Sequence, residues 1–134
     1  MKNYKVLFID DREMDNLLNR LMVREEQLPF DATYINSGEE ALEFLNDQTE
    51  EDFPQIIFID INMPVMNGFD FVDEYNAQLA NQPKAINTVL CFLTSSSSDS
   101  EKERALGMQN ISAFYNKPIT MAIFVDLQSR LNNK

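Results

Sequence analysis

The chain has 134 residues, 44% of them hydrophobic and 25% charged, a globular balance at a length that suits one domain. Eleven basic residues stand against 22 acidic ones, and the resulting charge of −11 disfavours contact with nucleic acid or an anionic membrane surface. The sequence has no histidine and one cysteine, which excludes a histidine triad, His-ligated zinc, an internal phosphohistidine and a disulfide framework.

Residues 5–9 read as a first strand that ends on Asp10-Asp11. Met14, Leu17, Leu18, Leu21 and Met22 then recur at helical spacing and mark the apolar stripe of a first helix, which ends before Pro29. A second strand over 32–35 leads into Ser37-Gly38-Glu39-Glu40, a capping-box pattern opening a second helix on Ala41, Leu42 and Leu45. Residues 56–59 form a third strand ending at Asp60, and Phe69, Val72, Tyr75 and Leu79 mark a third helix. Segment 80–87, with Asn81-Gln82-Pro83-Lys84, reads as an exposed loop. A fourth strand over 88–93, with Cys91 inside its apolar run, ends at Thr94. The fourth helix, about 99–108, has few apolar anchors, with Gly107 near its end. A fifth strand over 111–115 runs into Lys117-Pro118, and Ile123, Phe124, Leu127 and Leu131 give the last helix, starting near Thr120, an apolar face.

Five strand–helix alternations predict an α/β fold, a doubly wound five-stranded parallel sheet with helices on both faces, over a single domain spanning 1–134. The first, third and fourth strands are continuously apolar, as strands covered on both faces must be. No signal peptide is expected, since the apolar run 6–9 is too short for one, and no stretch approaches the roughly 18 apolar residues of a membrane span. A reducing cytoplasm is the expected location.

In doubly wound sheets ligands bind outside the carboxyl ends of the strands, where Asp10, Asp11, Asp60, Thr94 and Lys117 fall. Taken singly, an acidic pair favours a helix start, a threonine favours strands and a lysine is an ordinary surface charge. Together they converge on one crevice. Three carboxylates there repel one another unless a cation compensates, and a site with few carboxylates suits magnesium better than calcium. Lys117 supplies a second compensating charge.

These residues, with Asp60-Ile61-Asn62-Met63-Pro64-Val65-Met66-Asn67-Gly68, Leu93-Thr94-Ser95 and Phe114-Tyr115-Asn116-Lys117-Pro118, make the sequence resemble the receiver domain of two-component response regulators over essentially its whole length. The resemblance implies a flavodoxin-like sheet of order 2-1-3-4-5 and a stand-alone receiver of the chemotaxis-regulator type, without an output domain. It puts the phosphoacceptor on Asp60, the Mg2+-binding acids on Asp10 and Asp11, and a further metal ligand on the Asn62 backbone carbonyl. The hydroxyl switch falls on Thr94, the aromatic switch on Phe114 and the lysine on Lys117, aimed by a cis bond to Pro118. The implied donor is a sensor histidine kinase or histidine phosphotransfer protein. Signalling would run through phosphorylation-controlled protein binding or onward phosphorelay, with self-catalysed phosphoryl transfer and autodephosphorylation as the only chemistry.

Other readings fit less well. A phosphatase of the haloacid dehalogenase type needs a second aspartate two residues after the nucleophile, where this chain has Asn62, which cannot cycle a proton. A flavin carrier needs a phosphate-cradling loop after the first strand, where Asp10-Asp11 would repel the phosphate. A receiver without phosphorylation is disfavoured because all five functional side-chain types are present.

Overall fold

The computed structural model describes residues 3–132; residues 1, 2, 133 and 134 of the expected 1–134 domain lie outside the described residues. Five strands, β1 (Tyr4–Ile9), β2 (Phe30–Ile35), β3 (Ile56–Ile59), β4 (Val89–Thr94) and β5 (Ile111–Asn116), form one sheet in the order β2-β1-β3-β4-β5, every neighbouring pair parallel. Five α-helices alternate with them: α1 (Glu13–Glu25), α2 (Gly38–Asp47), α3 (Gly68–Gln78), α4 (Asp99–Leu106) and α5 (Met121–Asn132). The doubly wound α/β fold read from the sequence is the one observed.

Strand alternation divides the interior into two cores. Leu7, Ile9, Ile57, Ile59, Leu90 and Phe92 point to the side covered by α2, α3 and Ala105 of α4. Val6, Phe8, Phe58, Cys91 and Leu93 point to the side covered by α1 and α5, where Phe8 stacks on Phe58 with ring centroids 5.0 Å apart. The continuously apolar β3 and β4 are buried along their whole length because both faces are covered.

Element ends differ from the sequence reading where long-range pairing extends them. β2 begins at Phe30 because Phe30 pairs with Tyr4 of β1, and β4 runs on to Thr94 because Thr94 pairs with Asn116. Ser37 Oγ accepts from Glu40 N at 3.1 Å, one half of the capping box expected at α2. The reciprocal box forms instead at α3, between Asn67 and Asp70. Within 80–87, Pro83–Ala85 makes a 3-10 turn, and Lys84 donates to the carbonyls of Asn46 and Gln48.

The larger correction concerns α1. Met14, Leu17, Leu18 and Leu21 face solvent, from 70% exposed at Met14 to 37% at Leu21, while Asn16 and Asn19 are buried. The helix turns its polar stripe inward because the interior offers partners: Asn16 Nδ2 donates to Asp10 O at 2.8 Å, and Asn19 Oδ1 accepts from Ile119 N at 3.0 Å. These bonds offset part of the cost of burying the two amides, although Asn16 Oδ1 is left without a partner, and Met22 and Val23 on the same side supply the apolar packing.

The loop between β3 and α3 is tight. Gly68 packs against the backbone of the preceding strand end, and a Cβ there would lie 2.4 Å from Asp60 O. Val65 adopts φ 68° at the loop's tip, 92% exposed, with Met66 N donating to Pro64 O across it at 2.8 Å. A β-branched residue is strained in that region of backbone space. Val65→Asn should therefore raise unfolding free energy by about 1 kcal/mol in urea titration. Gly68→Ala should lower it by about 1–3 kcal/mol. An unstabilised Val65→Asn would show that the turn is relaxed.

Candidate functional site

The ladder of parallel strands carries the polar residues to one edge. Beyond the last paired residues, Asp10 N donates to Ile35 O at 3.1 Å, Asp60 N to Ile9 O at 3.0 Å, and Lys117 N to Thr94 O at 2.9 Å. Asp10, Asp60 and Thr94 are buried, and Asp11 is partly so. Each stands directly on a rigid strand end, which fixes it more closely than a long loop could.

Three carboxylates meet there. One oxygen from each of Asp10, Asp11 and Asp60 lies within 4.8 Å of the others. Asp11 Oδ1 and Asp60 Oδ1 are inaccessible to solvent and have no protein hydrogen-bond partner. Unsatisfied buried carboxylate oxygens are costly, so this donor set fits a hard divalent cation bound through oxygen. Asn62, assigned a backbone ligand by resemblance, lies two residues beyond Asp60 with its side chain exposed.

Lys117 enters from the other side. Its side chain is 9% exposed, and Nζ lies 2.5 Å from Asp10 Oδ2, 2.8 Å from Asp15 Oδ2 and 3.3 Å from Asp60 Oδ2. Burial works to lower the lysine's pKa, but the bonds to Asp10 and Asp15 and the nearby Asp60 outweigh it and raise it. Asp10 is raised as well: the cost of burial exceeds the help it receives from Lys117 and from Arg12 N, which donates to Asp10 Oδ1 at 3.0 Å. The Lys117–Pro118 bond is cis.

Thr94 is fully buried and its Oγ1 accepts from Ser96 N at 3.2 Å, a bond that does not use the hydroxyl's own proton. Asn116 Nδ2 donates to Ser96 O at 2.8 Å and to Thr94 O at 3.3 Å, tying the loop after β4 to the end of β5. Ser96 Oγ in turn donates to Glu101 of α4. Phe114 is half-buried against the α2–α3–α4 core, and Tyr115, on the opposite face, donates its hydroxyl to Asp126 of α5. The structure thus brings Asp10, Asp11, Asp60 and Lys117 together, with Thr94 ending the strand next to β3.

The response regulator receiver domain model matches residues 6–127. The chain belongs to the response regulator receiver family.

Receivers of known structure share its fold throughout. A two-component response regulator from Cytophaga hutchinsonii is 29% identical, with both chains covered over 100% and a TM-score of 0.88. A receiver protein from Dyadobacter fermentans is 22% identical, with 95% of this chain and 96% of that one covered, TM-score 0.82. A chemotaxis response regulator of Vibrio cholerae is 23% identical, covering 97% and 99%, TM-score 0.70. No curated protein matches the chain significantly.

Sequence reasoning missed one receiver-site residue, Asp15. It lies on the inner face of α1 with Asn16, Asn19, Met22 and Val23, a helical period that was readable in the sequence but polar at three of its five positions. Arg12 Nε, 3.5 Å away, flanks its carboxylate.

The raised pKa of Asp10 has a stability consequence. Without divalent cations the folded receiver holds the Asp10 proton more tightly than the unfolded chain does. That contribution is fully present below the ordinary value of 3.8 and is lost as pH rises through the folded value. At about pH 7, after chelation, Asp10→Asn should melt a few degrees above the wild type, with the gap closing toward about pH 4. A wild type that melts higher at neutral pH would mean that Lys117 outweighs burial at Asp10.

Proposed function

We propose that this receiver accepts a phosphoryl group on Asp60 from a phosphohistidine donor in a Mg2+-dependent reaction and signals through phosphorylation-controlled protein binding. The observation that carries this reading is the convergence of Asp10, Asp11 and Asp60 opposite the buried Lys117. An Asp60 oxygen forms the new P–O bond as the P–N bond of the donor breaks, and the leaving imidazole nitrogen keeps the electron pair. Held by Asp10, Asp11 and Asp60 with the Asn62 carbonyl, the cation would neutralise charge on the phosphoryl oxygens. Lys117 adds a second cationic contact and Thr94 a hydroxyl donor. Transfer to Asp60 and hydrolysis of the acyl phosphate are the only reactions the reading assigns to the chain.

The exposed stripe Met14, Leu17, Leu18 and Leu21 supports a protein donor, either a sensor histidine kinase or a histidine phosphotransfer protein. It lies on the helix that begins two residues after Asp11, where a partner could cover the crevice while presenting its phosphohistidine. On the output side, Ala105 is the only buried residue of α4, so a shift of that helix disturbs little packing. Movement of Thr94 toward the phosphoryl oxygens, accompanied by Phe114, would alter the surface of α4, β5 and α5. A cytoplasmic location fits a single cysteine held in a buried strand.

Incubation with a small acyl phosphate and magnesium should add the mass of one phosphoryl group, seen by intact-mass spectrometry. The gain should vanish on chelation and in Asp60→Asn. Labelling that persists in Asp60→Asn, or without divalent cations, would overturn the assignment.

A further inference from the structure

We infer that Asp15 is a positioning residue for Lys117, one that draws the ammonium toward α1 and thereby keeps the carboxylate cluster open to a divalent cation. The inference rests on the reading of Asp10, Asp11 and Asp60 as cation ligands. An acid in the first turn of a helix ordinarily needs no role beyond interaction with the helix dipole. Asp15 differs in what it touches. Its Oδ2 lies 2.8 Å from Lys117 Nζ, a contact spanning 102 positions of sequence and joining α1 to the loop after β5.

An ammonium has three N–H donors, and three carboxylate oxygens surround this one. The contacts to Asp10 and Asp15 are short and the contact to Asp60 is the longest, at 3.3 Å. Lys117 is therefore held between Asp10 and Asp15 and only partly engaged with Asp60, whose other oxygen has no protein partner. Arg12, mostly exposed, supports Asp15 from the solvent side. Asn16 and Asn19 anchor the same turns of α1 to Asp10 O and Ile119 N, so the Asp15 carboxylate stands on a fixed base.

Without the Asp15 charge, the lysine's remaining strong partners are Asp10 and Asp60. An ammonium drawn fully onto that pair competes with a divalent cation for the same oxygens. Asp15 thus sets how much of the cluster's negative charge remains available. It acts through Lys117 and has no contact with the reacting atoms.

The test is a magnesium chloride titration of the full chain, followed by amide resonances, in wild type, Asp15→Asn, Lys117→Met and the double variant, with melting temperatures to confirm folding. Asp15→Asn should weaken magnesium binding by roughly tenfold, the scale of losing a group that orients a ligand's neighbour. In the Lys117→Met background the loss should shrink at least several-fold, because the competing ammonium is gone. Equal losses in both backgrounds would show that Asp15 acts only by its charge at a distance and would overturn the inference. Unchanged or tighter binding in Asp15→Asn would overturn it too. A wild type that binds no magnesium would overturn the cation site and this inference with it. A wild type that binds, with Asp15→Asn indistinguishable from it, would overturn the inference alone. If Asp15→Asn fails to fold, Asp15→Glu serves in its place: it keeps the charge but moves it along the side chain, and an affinity equal to wild type would count against positioning.

Discussion

Three carboxylates held largely out of water around a single ammonium are the constraint on which the rest of this receiver depends. Such a cluster does not assemble by its own attraction, since like charges in a partly desolvated crevice repel and burial penalises each charged form. Rigid supports surround it for that reason. β1 and β3 carry their aspartates on an uninterrupted hydrogen-bond ladder, Gly68 lets α3 close against the Asp60 carbonyl, and Asn116 ties the Thr94 loop to the strand that delivers Lys117. The two apolar cores beneath supply the burial that stabilises the domain as a whole against this local cost.

α1 shows how the constraint reaches outward. A helix packed only for apolar burial would have turned Leu17, Leu18 and Leu21 inward. It turns Asp15, Asn16 and Asn19 inward because those residues fasten β1, Lys117 and the segment after Pro118 into one unit. The apolar stripe displaced to the surface then lies beside the crevice. One helix thus frames the site on its inner face and leaves adhesive surface on its outer one.

That inversion also marks where sequence reasoning stops. β1, β3 and β4 were legible because only strands covered on both faces are apolar without interruption. Asp10, Asp11, Asp60, Thr94 and Lys117 were legible because each ends a strand in a fold whose crevice lies at strand ends. α1 was misread because two stripes of equal period compete on it, and hydrophobicity favours the wrong one until the partners of Asn16 and Asn19 are known. Asp15 was hidden for the same reason, its partner lying 102 residues away. The capping box of α3 is harder to read, because Asn67 and Asp70 have none of the Ser/Thr and Glu/Gln signature that marks such a box in sequence.

Asp60, among four neighbouring aspartates, is the proposed acceptor. Borohydride reduction of the phosphorylated protein followed by peptide mapping tests it directly, since an aspartyl phosphate is reduced to homoserine at the position that carried it. Homoserine is expected at position 60 and nowhere else. Reduction at Asp10, Asp11 or Asp15, or a phosphate resistant to borohydride on a residue of the serine run 95–98, would contradict it.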